Sequence, residues 1–240
     1  MPATDAALSR AELDVLHADA WFNALPGPLR RDMLVAARRL RLQAGALLHR
    51  RGDTARGLYV LLSGAMRISG TSEQGGECTL AYIEPGTWFG EISLVDGAPR
   101  THDACAVVDT DMLVVPEAQF KRLLAEHPQA GLMVARLLAA KLRATMVWME
   151  DMALQPLACR LARRLLDLHA RRTVGSAGDL TLSQDDLAAL VGASRQSVNR
   201  ELKAWSGQGW VSVRYGSLRI LEPARLRELA GAGGVGASTG

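Results

Sequence analysis

The chain has 240 residues, of which 48% are hydrophobic and 22% are charged. These proportions are typical of a globular protein with sizeable cores, and the length allows two modest domains. The net charge of +3 is unevenly placed: the residues from Pro156 onward include 12 basic and 7 acidic side chains, which predicts a polyanion partner for that end.

The three cysteines, Cys78, Cys105 and Cys159, are far apart and form no Cys-x-x-Cys pair. A disulfide framework and a zinc site are therefore unsupported, and we expect no metal. The first residues contain no apolar run like that of a signal peptide, and no membrane partner is expected. These features predict a protein of the reducing cytoplasm.

The first 115 residues divide into a start with a helical pattern and a longer region with a strand-like pattern. A short helix is predicted over 11–22 and a second segment over 29–40, after a loosely ordered start. From Arg41 to Val115, short apolar runs alternate with glycine turns such as Gly52-Asp53. This spacing predicts an antiparallel roll or barrel. A further helix is predicted over 118–126.

Residues 89–101 interrupt the strands. Gly90 and Glu91 open a short helical turn, and Arg100 and Thr101 follow ten residues after the glycine. Backbone N–H groups at a helix start attract an anion, and an arginine can hold a phosphate by two hydrogen bonds. Because Glu91 is a good acceptor for a sugar hydroxyl, the combination indicates a nucleotide. A loop whose arginine pairs with an acid is the structural alternative.

This stretch resembles the phosphate-binding cassette of cyclic-nucleotide-binding domains, on the residues Gly90-Glu91-Ile92-Ser93-Leu94 and Pro99-Arg100-Thr101. The resemblance implies that Gly90 and Glu91 offer backbone N–H groups and that Glu91 also binds the ribose 2′-hydroxyl. It implies that Arg100 and Thr101 bind the cyclic phosphate. It further implies that Thr145, farther along the chain, faces the purine.

The identity of the effector stays open at this point. Thr101 resembles the threonine that favours cyclic GMP in some kinases, so cyclic AMP and cyclic GMP are both candidate ligands. His102 and Asp103 stand where such domains usually have small or hydroxyl residues. An effector other than a cyclic nucleotide, or none, is therefore the alternative.

Residues 129–155 lie between Pro128 and Pro156 and consist mostly of strong helix formers. A heptad-spaced seam predicts that a second copy of this helix packs along 132–152 in a homodimer. The seam comprises Leu138, Leu142, Thr145, Met149 and Met152. A second stripe is expected to pack on the chain's own body: Leu137, Ala140, Ala144, Val147 and Trp148. One buried amphipathic helix without a dimer is the alternative.

Residues 182–203 have the pattern of two helices joined by a sharp turn. Ser183 and Ser194 are predicted helix caps, and Gly192 allows the turn. Val198 and Leu202 face the core, which leaves a polar and basic outer face on the second helix. That face comprises Arg195, Gln196, Asn199, Arg200 and Lys203. Residues 210–220 are predicted to form a hairpin that turns at Gly216, which adds a wing.

The run from Val191 to Arg200 resembles the helix-turn-helix of Crp/Fnr regulators, and with the roll and the long helix the resemblance covers about 25–221. It implies that Arg195, Gln196 and Arg200 read bases and that Ser194 and Ser197 contact phosphates. Gln196 stands where the family's catabolite activator has glutamate, so we predict a different central base preference.

The predicted fold is α+β. Residues 1–127 form an N-terminal antiparallel β-roll, of the double-stranded β-helix type found in cyclic-nucleotide-binding domains. Residues 128–155 form a dimerisation helix, residues 156–230 a winged helix-turn-helix, and residues 231–240 a disordered tail. The predicted function is that of a dimeric transcription regulator, controlled by an effector in the roll. It binds pseudo-palindromic double-stranded DNA and contacts RNA polymerase.

Other classes are less well supported. An iron–sulfur sensor is disfavoured because the first 77 residues contain no cysteine, whereas Cys78, His49 and His102 are the candidate ligands of a haem iron. An enzyme is disfavoured because no Gly-x-Ser-x-Gly, His-Glu-x-x-His or P-loop motif is present, and we predict no catalytic residue.

Overall fold

The computed structural model describes residues 8–71, 77–170, 179–180, 184–214 and 217–232. The chain divides into two compact units, Met1–Arg143 and Ala144–Gly240. This division falls inside the long helix, whereas the sequence pattern placed the domain limits at Pro128 and Pro156.

Three short helices open the first unit: α1 (Arg10–Ala18), α2 (Ala20–Asn23) and α3 (Gly27–Ala36). A capping box starts α1, since Ser9 and Glu12 each accept the other's backbone N–H through their side chains. Asp19 ends α1 and caps α2 by accepting the N–H of Phe22 at 2.8 Å. The helix predicted over 11–22 is therefore two helices, and the last residues of the 29–40 segment belong to a strand.

In the described part of this unit, eight strands form two antiparallel sheets, in the orders β1-β8-β3-β6 and β2-β7-β4-β5. The strands are β1 (Arg38–Leu42), β2 (Leu47–His49), β3 (Gly57–Ser63), β4 (Met66–Thr71), β5 (Glu77–Ile83), β6 (Trp88–Phe89), β7 (Asp103–Ala106) and β8 (Thr110–Pro116). A short helix, α4 (Glu91–Asp96), lies between β6 and β7. The predicted antiparallel β-roll is confirmed.

Strand β3 is buried on both of its faces. Tyr59 and Leu61 point into a cluster that joins the two sheets, whereas Leu58 and Val60 pack with the N-terminal helices. A strand buried on both sides reads as a continuous apolar run rather than an alternating one. Strand β3 therefore connects the interior of the roll with the helices outside it.

Two helices follow the roll, α5 (Glu117–Glu126) and α6 (Ala130–Leu154). The observed α6 lies within one residue at each end of the helix predicted between the prolines. Its first turns are buried through Met133, Val134 and Leu137, whereas Leu142 and Met149 of the predicted seam are 60% and 59% exposed. Among the described residues, no helix has the length and apolarity needed to cross a lipid bilayer.

The second stripe of α6 was predicted wrongly. Leu137 is buried, but Ala140, Ala144 and Val147 are exposed and Trp148 is only partly covered. The apolar cluster of the first unit reaches along α6 only as far as Leu138. Among the described residues, no buried cluster extends along α6 beyond that point to cover the rest of the stripe.

The second unit consists of the end of α6 followed by helices and a small sheet of order β10-β11-β9. The elements are α7 (Leu157–Ala170), β9 (Asp179–Leu180), α8 (Gln184–Leu190), α9 (Arg195–Gly207), β10 (Val211–Arg214), β11 (Ser217–Ile220) and α10 (Pro223–Ala232). Leu161, Leu187, Val198 and Leu218 share one buried cluster. The predicted winged helix-turn-helix is confirmed. Helix α10 takes the first two residues assigned to the tail, and the cap at Ser183, the turn at Gly216 and residues 233–240 lie outside the described residues.

Candidate functional site

Arg100 lies in the interior of the roll and is only 4% exposed. Its Nη1 donates to the carbonyl of Gly90 at 2.8 Å, and its Nη2 donates to the carbonyl of Gly57 at 3.1 Å. The guanidinium also lies over the ring of Tyr59, with Cζ 5.6 Å from the ring centroid. Two backbone carbonyls and an aromatic face therefore hold the guanidinium of Arg100, the group that the sequence predicted to bind a phosphate.

The Arg100 guanidinium keeps donor capacity for an anion. Its Nε is buried and has no hydrogen-bond partner in the described structure. A guanidinium carries five N–H donors, and buried donors in native proteins are nearly always paired. The residues present therefore fit a phosphate, whose oxygens could accept from the unsatisfied donor.

Gly90 has a left-handed backbone with φ of 92°, so a side chain at this position would be strained and tightly packed. A Cβ at this position would lie 3.0 Å from Nη1 of Arg100, 3.0 Å from Cδ2 of Tyr59 and 3.1 Å from the carbonyl of Gly57. Glycine is thus needed both for the conformation and for the space that Arg100 occupies.

Glu91 is 2% exposed and paired with a lysine of the long helix. Nζ of Lys141 donates to both carboxylate oxygens at 2.9 Å and to the carbonyl of Trp88 at 2.8 Å. The sequence patterns did not single out Lys141. Nothing in the local pattern pairs residues that are 50 positions apart.

Two further residues predicted to contact the ligand, Thr101 and Thr145, are exposed, whereas Glu91 and Arg100 are buried. Thr101 is exposed, and its hydroxyl lies 2.9 Å from Nδ1 of His102. Thr145 belongs to the second compact unit and is exposed, so its predicted position opposite a purine stays a prediction. The structure brings together Gly90, Glu91 and Arg100, with Thr101 next to Arg100 in the chain.

His49 lies close to Arg100 at the end of β2. Its Nδ1 is buried without a hydrogen-bond partner in the described structure. Burial, followed by the positive charge of Arg100, lowers the pKa of His49 to about 4. Burial also lowers the pKa of His102. The side chain of Cys78, the third candidate haem ligand, lies outside the described part of the chain.

Helices α8 and α9 form the second candidate site. The hydroxyl of Ser194 caps α9 by accepting the N–H of Ser197 at 3.1 Å, as its position before the helix predicted. Gly192 has φ of 59° in the turn. Val198 and Leu202 are buried on the inner face. The first turns of α9 therefore present their other side to solvent.

Four of the predicted DNA-contacting residues are exposed on α9: Arg195, Gln196, Arg200 and Lys203. Arg195 also forms an exposed ion pair with Asp185 at 3.2 Å. Asn199 differs from the prediction, because it is half-buried and its amide donates to Oε1 of Gln184 on α8. Its spacing resembled that of the outer face, but it lies at the edge where α9 meets α8.

The wing carries a basic groove that the sequence analysis did not single out. A cavity of about 140 Å³ is lined by Ser212, Arg214, Ser217, Arg219 and Leu221. The strand register places Ser212 opposite Arg219 and Arg214 opposite Ser217. Alternation along each strand could have shown this face, since Val211, Leu218 and Ile220 are buried on the other.

Two families match the chain. Residues 39–127 match the cyclic nucleotide-binding domain, and residues 159–229 match the Crp-like helix-turn-helix domain. The first range contains Gly90, Glu91 and Arg100, and the second contains α8, α9 and the wing.

Several known proteins are similar over most of their length. The chain is 35% identical over 179 residues to the cyclic AMP receptor protein of Thermus thermophilus. It is 30% identical over 183 residues to a CRP-like cAMP-activated global transcriptional regulator of Mycobacterium tuberculosis. Both matches cover 75% of this chain and 82% of the relative. The solved structure of a CRP/FNR-family transcriptional regulator from Thermus thermophilus is similar with a TM-score of 0.67 at 28% identity, over 80% of this chain and 98% of that one.

Proposed function

The chain belongs to the Crp/Fnr family of DNA-binding transcription regulators, and from this premise we propose that a cyclic nucleotide bound at Arg100 and Glu91 controls it. The observation that supports the ligand is the buried guanidinium of Arg100, whose Nε has no partner in the described structure. A phosphate oxygen would satisfy that donor and neutralise the charge. The relatives named for cyclic AMP support the same ligand class.

Glu91 would receive the ribose. Its two oxygens accept from Lys141, but each carboxylate oxygen has a further lone pair for a hydroxyl donor. A nucleotide at this position would contact the same carboxylate that binds α6. Ligand binding would thus act on the contact between the roll and the long helix. Thr101 for the phosphate and Thr145 for the purine complete the proposed set.

The DNA-binding side follows the helix-turn-helix. Arg195, Gln196 and Arg200 would read base edges, with Lys203 and the hydroxyls of Ser194 and Ser197 at phosphates. Asn199 would orient α9 through Gln184 rather than read a base. We also propose a homodimer through 132–152, a pseudo-palindromic site, RNA polymerase as a partner and the cytoplasm, where the DNA is, as the location.

Isothermal titration with cyclic AMP and then cyclic GMP tests the effector. Wild-type protein should bind one of them saturably, and Arg100→Ala should abolish the heat. Glu91→Gln should weaken binding less, because it keeps one acceptor oxygen. Thermal melting of each variant must stay within a few degrees of wild type. No heat with either nucleotide would contradict the proposed ligand and leave the DNA-binding function intact.

Selection from a random DNA library tests the DNA side. The full-length protein should enrich a two-fold symmetric site with half-sites about one helical turn apart, ~34 Å. Absence of any enriched sequence would contradict sequence-specific binding.

One observation favours a second candidate, a regulator without a cyclic nucleotide. Both carboxylate oxygens of Glu91 and two nitrogens of Arg100 already bond within the protein. These contacts stabilise the cassette without a ligand. Enrichment of the same DNA site at equal affinity with and without both nucleotides would identify this candidate.

A further inference from the structure

The carboxyl end of α8 is closed by side chains from outside the helix-turn-helix. A Schellman motif satisfies two carbonyls there, since Ala193 N–H donates to Ala188 and Gly192 N–H donates to Ala189. The carbonyls of the next two residues accept from other helices. Nε1 of Trp148 on α6 donates to Leu190 at 3.5 Å, and Nε of Arg160 on α7 donates to Val191 at 3.2 Å.

Arg160 also closes the end of α6. Pro156 has no N–H, so the carbonyl of Met152 loses the partner that a helix would normally supply four residues later. Nη1 of Arg160 donates to that carbonyl at 3.4 Å and to the carbonyl of Gln155 at 2.8 Å. One guanidinium therefore joins the carboxyl ends of α6 and α8, where a positive charge is favourable.

Packing and an ion pair add to the contacts made by the end of α6. A Cβ at Gly192 would lie 1.9 Å from the Cε of Met152, so the thioether occupies the space that glycine leaves in the turn. Asp151 forms an ion pair with Arg163, whose Nε donates to the carbonyl of Ala230 on α10 at 3.1 Å. The last two turns of α6 thus contact the turn of the helix-turn-helix directly and the final helix only through Arg163 of α7.

We propose that Arg160 is a positioning residue that holds the end of α6, residues 148–154, against the turn before the recognition helix α9. The end of α6 and α9 then move as one rigid body, and the chain does not bend at Pro156. This inference rests on the proposed homodimer through α6 bound to a two-fold symmetric DNA site. In that dimer this contact sets the distance between the two recognition helices, and so determines which half-site spacing is bound.

Binding of full-length protein to a series of duplexes tests the proposed role of Arg160. The duplexes carry the half-site from the library selection, either singly or in pairs whose separation changes by one base pair. Wild type should favour one separation by about tenfold or more over its neighbours. Arg160→Met should reduce that preference to about threefold or less while single half-site affinity stays within about twofold.

Two further variants separate positioning from folding. Arg225→Met removes the same charge from α10, where Arg225 pairs only with Glu228 among the contacts seen, and should keep the wild-type profile. Trp148→Phe removes the donor to the carbonyl of Leu190 and keeps an aromatic ring at this position. It should therefore weaken the spacing preference less than Arg160→Met does.

The outcomes are distinct. An unchanged spacing preference in Arg160→Met overturns the proposal. A second result also overturns it: Arg160→Met loses single half-site binding and melts at a lower temperature, while Trp148→Phe keeps the wild-type spacing profile. Arg160 would then only stabilise the fold. A wild type that binds DNA but favours no separation overturns it as well. A wild type that binds no duplex contradicts the proposed function instead.

Discussion

The ion pair between Glu91 and Lys141 is the buried electrostatic contact on which the proposed nucleotide site depends. The carboxylate is 2% exposed, whereas the lysine side chain is 36% exposed. Removing one partner of such a pair leaves the other charge buried without compensation, which costs far more than loss of an exposed pair. Lys141 therefore contributes to stability as well as to the site.

Lys141→Met should lower the free energy of unfolding by about 2 kcal/mol, less than the ~3–5 kcal/mol of a fully buried pair because the lysine is partly exposed. Urea denaturation measures this. Lys121→Met removes the exposed partner of Glu117 and should cost less than about 0.5 kcal/mol. Equal losses in the two variants would show that the buried pair contributes nothing special. Adding Glu91→Gln to Lys141→Met should restore part of the loss.

His49 should make stability depend on pH. Its pKa is about 4 in the folded protein, against an ordinary value of 6.5, because burial and Arg100 disfavour the imidazolium. As the pH falls from 6.5 towards 4, the unfolded chain takes up a proton that the folded chain does not. The free energy of unfolding should therefore fall across this window, and above pH 6.5 His49 should add no pH dependence.

Urea midpoints measured at pH 7, 5.5 and 4.5 test this expectation. His49→Gln should have a smaller decline than wild type, whereas His169→Gln, which removes an exposed imidazole on α7, should follow wild type. Parallel curves for wild type and His49→Gln would refute it.

Helix α9 illustrates how one element carries specificity. The cap at Ser194 and the buried Val198 and Leu202 set its rotation, so Gln196 is exposed near its N-terminus. A glutamine reads adenine through N6 and N7, whereas a glutamate accepts from N4 of cytosine. If Gln196 contacts a base as proposed, the side chain at this position determines which base is preferred.

Gln196→Glu should change the preference at one base pair of each half-site from A·T to C·G, by about tenfold or more. Library selection with both proteins reads this directly. Gln208→Glu adds the same charge at the other end of α9 and should leave the selected site unchanged. Identical sites for wild type and Gln196→Glu would show that residue 196 does not read a base.

The second half of helix α6 carries an exposed apolar face that is relevant to assembly of the chain. Beyond Leu138 its apolar residues are mostly exposed in the single chain, including Leu142, Met146 and Met149. Exposed apolar surface of this extent on one face is typical of an interaction surface. A second copy of α6 would cover it, as the heptad spacing predicted.

Leu142→Glu should convert the proposed dimer to a monomer and lower affinity for the proposed two-fold symmetric site by ~100-fold, because the two half-sites would no longer be bound together. Sedimentation velocity and DNA titration measure the two effects. Arg143→Gln makes an equal change of charge about 100° around α6 from Leu142, outside the predicted seam, and should leave both unchanged. A Leu142→Glu protein that still sediments as a dimer would place the interface elsewhere.

The chain's local patterns were sufficient for its architecture and family. Glycine-spaced apolar runs, a proline-bounded helix and the phased helix-turn-helix depend on interactions among neighbouring residues, so they can be read in order along the sequence. The motif around Gly90 and Arg100 and the exposed face of α9 are of the same kind. The break of the first helix at Asp19 was missed because a capping aspartate is a weak signal within an apolar pattern.

Long-range contacts were decided by folding. Lys141 reaches Glu91, Arg100 reaches Gly57 and Arg160 reaches Val191, at separations of 50, 43 and 31 residues. Each of these charged groups is placed by the packing of several elements, and no spacing within one element encodes it. Helix periodicity likewise placed Asn199 on the outer face of α9, although its amide bonds to α8. The residues of the cassette were thus readable from sequence, whereas their partners and the contact of Arg160 with α6 required the tertiary structure.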